Sequence, residues 1–341
     1  MAPDRMVRAT APTLEDVASA AGVSRSTASR VINGSPHVSP TVVRAVHDAI
    51  DRLDYVPNRA ARSLANRRTG AIALVVPEDT TRFFGDPYFS AVMRGISEVL
   101  HDSDYVLTLQ LAHEIESSAK TIRYLRGGNV DAALIVSHHA GDHILDALGG
   151  ALPVVFGGRP IADGDSGAYY VDVDNTDAAR RGVQHLIDSG RERIAHIAGP
   201  ADMPAGVDRL EGWRLALDGA GLDATRVVHG DFSRSGGSAA MRLLLERFPD
   251  LDAVFAASDL TAFGAMSVLA GSGIRVPRDV AVLGFDDSPA AAEHDVPLTT
   301  VRQPAVDMGR RMATMAIDLL AGREVPHRAI MDTEVVVRAS A

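Results

Sequence analysis

Thr13-Leu14-Glu15-Asp16-Val17-Ala18-Ser19-Ala20-Ala21-Gly22-Val23-Ser24-Arg25-Ser26-Thr27-Ala28-Ser29-Arg30-Val31-Ile32-Asn33 is the stretch that decides the fold of the amino-terminal part. It predicts two short helices joined by a tight turn. Thr13 caps the first, and Asp16, three residues on, is its reciprocal partner in a capping box. Leu14, Val17, Ala18 and Ala21 recur at helical spacing and form the apolar face. Gly22 breaks the helix. Ser24 caps a second helix, Arg25 to Ile32, on which Arg25, Ser26, Ser29 and Arg30 share one face. Ala28, Val31 and Ile32 take the opposite side and pack inward.

Outward from this pair, Asn33-Gly34-Ser35-Pro36 is a loop signal. Ser39-Pro40 reads as an N-cap with proline at the first helical position. A third helix follows through Val42, Val43, Val46, Ile50 and Leu53, and Pro57 stops it. Residues 1–70 hold ten arginines and no lysine against six acidic residues, whereas the remainder holds 24 basic against 38 acidic. A basic unit on an acidic body attracts phosphates at one end only. The chain has 341 residues, 46% of them hydrophobic, enough for two or three compact units. It has no cysteine, which excludes disulfides, thiolate zinc sites and cysteine nucleophiles. No apolar run is long enough to span a membrane. Residues 1–11 lack the apolar core of a signal peptide, so the cytoplasm is expected.

Asn58 to Arg68 is arginine-rich and lies between two units, as a linker would. Ala60, Ala61, Leu64 and Ala65 nevertheless favour helix, although a helix this short is marginal alone. From Gly70 the pattern changes. Strand-length apolar runs at 71–76, 106–111, 132–136, 152–156, 194–197, 253–255 and 280–283 alternate with helical stretches at 89–100, 176–189, 209–220, 238–248 and 261–271. That alternation predicts parallel α/β sheets, two rather than one for this length. Ligands in such folds sit beyond the carboxyl ends of the strands.

Thr13–Ala18, Ala21–Ser24, Thr27 and Ser29–Asn33 closely resemble the helix-turn-helix of the LacI/GalR family of transcriptional regulators. The resemblance continues through Val38-Ser39-Pro40, Leu53–Asn58 and Ala60–Ala65. It resumes at Gly199-Pro200, Arg209–Trp213, Gly230-Asp231-Phe232, Ser258-Asp259, Gly284–Asp287 and Leu298–Gln303, in order over nearly the whole chain. It implies an all-α helix-turn-helix DNA-binding head over 1–57 and a hinge helix over 58–69. An α/β two-lobed periplasmic-binding-protein-like effector domain would then occupy 70–341. Lobe one would take about 70–172 and 301–328, and lobe two about 173–300 and 329–341.

By the same resemblance, the second helix enters the major groove of double-stranded DNA. Thr13, Ser24, Arg25, Ser26, Thr27, Ser29, Arg30 and Asn33 are then candidate DNA-contacting residues, with Asn58, Ala61 and Leu64 from the linker. Arg25 and Ser26 match the variable base-reading positions, and Arg30 a common base-contact position. Arginine reads guanine through two hydrogen bonds, and contact with phosphate alone is the other reading. Ala28 is smaller than the valine usual in the family. Leu64 matches the leucine that wedges into the minor groove at the centre of the site, which would explain an isolated apolar residue there; a plain tether is the alternative. Two half-sites imply a homodimer on a near-palindromic operator.

The body resembles the two-lobed periplasmic sugar-binding fold, and that resemblance implies a cleft for a small-molecule effector, a sugar or sugar phosphate. Arg209, Asp286 and Phe232 match effector-contact positions, as do Ser258 and Asp259. Tyr88 and Phe89 are candidate stacking residues. Arg209 could instead pair with an acidic neighbour, Phe232 could be core, and Asp287 reads as a structural cap. Two departures stand out. Gly157-Gly158-Arg159 replaces an acid common in relatives, so Arg159 joins the candidates, and the loop 78–86 looks longer than in shorter relatives. The chain would cross between lobes near 170–174, 300–303 and 327–331. With no leucine-heptad tail, tetramers by that route are not expected.

Other signals carry less. Gly164-Asp165-Ser166-Gly167 matches a protease nucleophile motif by letter but lacks triad partners. His138, His139 and His143 read as a solvated loop rather than a metal site, and Asn33-Gly34-Ser35 as a turn rather than a glycosylation site. No catalytic residue, cofactor or metal is expected. The function expected is repression of carbohydrate uptake or catabolism under allosteric control. The alternatives are a sugar-binding transport protein, which would need an export signal, and a sugar-modifying enzyme, which would need a catalytic motif; fold alone does not separate them.

Overall fold

The computed structural model describes residues 12–32, 35, 37–55, 68–113, 115–141, 147–148, 150–160 and 167–341. The chain divides into two compact units, Met1–Thr69 and Gly70–Ala341.

In the first unit, α1 (Leu14–Ala20), α2 (Arg25–Ile32) and α3 (Pro40–Leu53) enclose a small core. Val17, Val31, Val46 and Ala49 are buried there, flanked by Val42, Ile50 and Leu53. The capping box is formed: the Thr13 amide donates to Asp16 Oδ2 at 2.8 Å and the Asp16 amide to Thr13 Oγ1 at 3.3 Å. The two bonds from Thr13 hold the Asp16 carboxyl below its ordinary range. Gly22, at φ +67°, makes the turn into α2. Helix α3 ends at Leu53, where Asp54 adopts the left-handed conformation, ahead of Pro57.

The second unit contains two six-stranded sheets. The first-lobe sheet is built from β1 (Ala71–Val76), β2 (Val106–Leu111), β3 (Ala132–Val136), β4 (Val154–Gly157), β5 (Tyr169–Val173) and β11 (Arg328–Met331). Their spatial order is β11-β5-β4-β3-β1-β2, with every pair parallel. The second-lobe sheet is built from β6 (Ile194–Ala198), β7 (Val227–His229), β8 (Ala253–Ala256), β9 (Ala281–Asp286), β10 (Thr299–Arg302) and β12 (Glu334–Val336). Their order is β12-β10-β9-β8-β6-β7, and only the β10–β12 pair is antiparallel. The central strands β1, β3, β4, β6 and β8 are buried throughout, which is why all but β6, interrupted by the buried His196, read as continuous apolar runs.

Helices cover the sheets: α4 (Thr80–Gly85), α5 (Pro87–His101), α6 (Ile115–Arg126), α7 (Asn175–Asp188), α8 (Pro204–Ala220), α9 (Arg234–Arg247), α10 (Asp259–Gly271), α11 (Pro289–Glu293) and α12 (Ala305–Leu320). Helices α5 and α12 touch backbone to backbone, since a Cβ on Gly95 would lie 1.9 Å from the Val306 carbonyl. Helices α7 and α8 meet the same way, with a Cβ on Gly212 falling 2.2 Å from the Thr176 carbonyl.

The strand pairing corrects three expected boundaries. Val173 closes β5 and belongs to the first sheet. Val301 and Arg302 pair with Phe285 and Asp286 and so belong to the second, not to lobe one. Ala329–Met331 pair with Val171–Val173 and belong to the first, not to lobe two. The crossings thus run through Val173–Asn175, Arg302–Ala305 and Met331–Glu334, all beside β5, β10, β11 and β12 at one side of the sheets. The region 78–86, expected as a loop, contains α4, capped by Asp79 Oδ1 on the amides of Thr81 (2.7 Å) and Arg82 (3.0 Å).

Candidate functional site

On the first unit, Ser24 caps α2 by accepting the Thr27 amide at 3.2 Å, and its hydroxyl lies 2.9 Å from Ser26 Oγ and 2.8 Å from Thr27 Oγ1. Arg25, Ser26 and Arg30 are exposed while Ala28 and Val31 are buried, so the polar face of α2 points outward. Ser29 is half-buried on that helix. Arg25 Nε pairs with Glu15 at 2.9 Å, both ends in solvent. Such exposed pairs contribute roughly 0–1 kcal/mol, so the guanidinium is easily released to another acceptor. Asn33, Asn58, Ala61 and Leu64 lie outside the described residues.

In the second unit a cleft of about 670 Å³ opens where the carboxyl ends of both sheets face each other. Of the residues singled out from sequence, Tyr88, Phe89, Arg209, Phe232, Ser258 and Asp286 line it. Asp286 ends β9 at φ 121°, and Phe232 follows β7 at φ 63°. Conformations this unusual for a side chain with a Cβ cost of order 1–3 kcal/mol and concentrate at functional sites. Arg209, on α8, is buried at the floor. Its Nε donates to Asn175 Oδ1 (3.0 Å) and its Nη1 to the Ala257 carbonyl (2.6 Å), with Asp286 Oδ1 at 3.7 Å. Its guanidinium stacks 3.6 Å from the centre of the Phe285 ring.

For Arg209 and Phe232 the structural alternative holds, and both side chains also border the cleft. Arg209 pairs with an acid and faces the cleft, and Phe232 is 6% exposed yet lines it. Two candidates are not brought in. Arg159 is not a lining residue, because its guanidinium is drawn to Asp208 at 2.8 Å. Asp259 turns away, accepting Thr300 Oγ1 (2.6 Å) and the Ser288 amide (2.7 Å); burial pushes it up to about 6. Asp287 is a structural tie, bonded to Arg302 and Arg338 at 2.6 Å each.

The sequence reading missed Arg82, Asp86, His138, Asp172, Asn175 and Gln303 among the lining residues. Asp172, Asn175 and Gln303 flank two crossings, a signal available had the crossings been treated as cleft walls. Asp86 caps α5, accepting the Tyr88 amide at 2.9 Å. The run 138–139 is also corrected. His138 is buried with Nε2 3.0 Å from the Arg159 carbonyl, and His139 contacts Glu78 (3.4 Å) and Asp202 (2.9 Å), so neither is a solvated loop residue. Among the described residues no group of three or more His, Asp or Glu is placed to hold a metal ion, and no helix is long and apolar enough to cross a membrane.

Burial raises the carboxyls of Asp86, Asp172 and Asp286, Asp286 most, against the pull of Arg209. Burial lowers Arg209 from its ordinary value, opposed by Asp286 and Asp172. A desolvated floor of carboxylates and amides around a stacked guanidinium suits a polyhydroxylated ligand, whose hydroxyls both donate and accept.

The chain is 46% identical over 341 residues to the HTH-type transcriptional regulator CelR of Thermobifida fusca, covering 98% of this chain and 100% of that one. The chain belongs to the LacI family. Its residues 13–58 match the model of bacterial regulatory proteins of the lacI family, and residues 183–341 match a periplasmic binding protein-like domain. It is also 31% identical to the repressor CytR of Escherichia coli strain K12, over 97% of this chain and 96% of that one. Among solved structures it resembles a transcriptional regulator CelR–cellobiose complex (TM-score 0.78, 45% identity, 97% and 100% covered). It also resembles the lac repressor dimer bound to operator and the anti-inducer ONPF (TM-score 0.85, 26% identity, 96% and 98% covered). As a LacI-family member the chain is a DNA-binding transcriptional regulator, with a helix-turn-helix head and a two-sheet periplasmic-binding-protein-like domain.

Proposed function

We propose that this regulator is a cytoplasmic, dimeric repressor of carbohydrate-uptake or catabolic genes, released from or held on its operator by a neutral sugar. In this reading Arg25, Ser26 and Arg30 read base edges, and Leu64 wedges the minor groove. Arg209, Asp286, Phe232, Tyr88 and Ser258 hold the effector. The protein performs no catalysis and needs no cofactor.

The observation that carries the ligand class is the charge of the cleft. Asp86, Asp172 and Asp286 line it, while both lining guanidiniums are already engaged by protein acceptors: Arg209 as above, and Arg82 by Glu78 at 3.0 Å and by the Asp231 carbonyl. A phosphate needs a cation or a nest of amides to offset its charge, whereas hydroxyls are served by carboxylates and amides. This reading therefore favours a neutral sugar over a sugar phosphate. Because the similar CelR structure is a cellobiose complex, cellobiose is the first probe.

Calorimetric titration with cellobiose and with cellobiose 6′-phosphate tests the reading. Binding of cellobiose and at least about tenfold weaker binding of the phosphate is expected, the scale of one lost charge-compatible contact. Equal or tighter binding of the phosphorylated sugar would contradict it.

A further inference from the structure

Three first-lobe cations reach across the cleft mouth to acceptors on the second lobe. Arg159, two residues past β4, pairs with Asp208 on α8 at 2.8 Å. His139, three residues past β3, places Nδ1 2.9 Å from Asp202, which precedes α8. Arg82, on α4 after β1, donates to the Asp231 carbonyl beyond β7. A backbone bond from the Ala140 amide to the Asp202 carbonyl (2.8 Å) joins the same span.

Their order matters. In the first sheet β4, β3 and β1 follow one another away from the crossing strands β5 and β11. In the second, β6 and β7 lie at the end away from β10 and β12. The cross-cleft contacts therefore stand progressively farther from the hinge, where a given opening angle separates the partners most.

His139 and Arg82 are also joined to each other. Both contact Glu78 Oε1, at 3.4 and 3.0 Å, and Ser137 Oγ donates to the same oxygen at 2.6 Å. Opening the cleft at either contact disturbs a carboxylate that is nearly buried. The His139 and Arg82 contacts consequently act as one unit rather than as separate surface pairs, with Arg159–Asp208 a further pair nearer the hinge.

We propose that Arg82, His139 and Arg159 form an electrostatic latch that holds the two lobes closed before any effector enters. The latch sets how tightly and how long the effector is retained. By mass action, a protein already in its binding-competent form loses none of its intrinsic affinity to closure, and weakening the latch reduces apparent affinity by the fraction that remains closed. The inference rests on the effector cleft proposed above but not on which sugar fills it.

The test uses Asp202→Asn with Asp208→Asn, isosteric changes at two residues that do not line the cleft. The chain has no cysteine, so spin labels at His113→Cys (after β2) and Ala239→Cys (on α9), both exposed, are the only labels, and mixing with excess unlabelled protein isolates the lobe separation within one chain. Without sugar, the parent labelled protein is expected to show a dominant short distance and the Asn variant a major longer one. Cellobiose affinity is expected to fall about three- to tenfold in the variant, mostly through faster release. Because the pairs are partly exposed, raising salt from about 0.05 to about 1 M should reproduce the loss in the parent and leave the variant unchanged. Identical sugar-free distances in parent and variant, or a parent already open, would overturn the latch. A distance shift with no cellobiose binding to either protein would support the latch and contradict the cellobiose reading alone.

Discussion

Arg209 is a cation kept in a nearly dry floor, and Asp286 is the carboxylate nearest to it. Asp286→Asn keeps the size of the side chain and its contact with Gln303 (2.6 Å) but removes the countercharge. It is expected to lower the free energy of unfolding by about 1–3 kcal/mol in urea titration. It should also abolish the sugar response while sugar-free operator binding persists; a retained response would remove Asp286 from the effector site. His139 gives a pH signature. Its contact with Glu78, and secondarily with Asp202, outweighs burial and raises it from 6.5 to about 9. The folded state thus favours the imidazolium, whose stabilisation is complete below about pH 6.5 and lost as pH rises through about 9. Melting temperature should fall over that window more in the parent than in His139→Gln, with Glu78, Arg82 and Asp202 as the charged groups facing the ring. Parallel profiles would contradict this assignment. At this scale the sequence disclosed the residues that project from strand ends, such as Asp286 and Ser258. It could not disclose that the lone pairs of Asp259 are spent on Thr300 and Ser288, because those partners are 41 and 29 residues away.

Elements built on a repeating apolar pattern were legible because burial on one or both faces leaves a period in the sequence. The strands at 71–76, 106–111 and 132–136 fall where their apolar runs do. Helix α12 was overlooked although Met308, Met312, Ala313 and Ala316 lie at helical spacing and are buried. Its face is built from small residues and methionines, which dilute the signal, and its closeness to α5 depends on Gly95 and Gly309. Strands β10, β11 and β12 escaped because they are short and Thr299, Thr300, Arg302, Arg328 and Glu334 leave them no continuous apolar run. Two substitutions test the packing. Gly95→Ala drives a Cβ into the Val306 carbonyl, where backbone and not a flexible side chain must move. It should destabilise the second unit by about 1–3 kcal/mol in denaturant unfolding; an unchanged midpoint would show that α5 and α12 separate freely. In the head, Thr13→Ala deletes the Oγ1 that accepts the Asp16 amide, leaving the backbone half of the capping box, and should cost about 1 kcal/mol of stability, read by urea unfolding.

At the scale of the whole molecule, an arginine-bearing helix-turn-helix unit and a two-lobed cleft are carried on one chain. Charge asymmetry and the helix-turn-helix pattern made the first visible, and alternating strands and helices the second. The exact crossing points were not visible, because a strand's sheet is decided by long-range pairing, which leaves no local pattern. A regulator of this construction requires that cleft occupancy and operator affinity be coupled, typically by about 1–3 kcal/mol, and reciprocally. The most direct measurement is operator affinity, by fluorescence anisotropy at fixed near-physiological salt, with and without saturating cellobiose, on the palindrome enriched from genomic fragments by the full-length protein. The account predicts an enriched palindrome and a five- to hundredfold change in its affinity on adding the sugar, the scale of that coupling. An affinity that stays the same whatever sugar fills the cleft, or the absence of any enriched sequence with or without sugar, would contradict it.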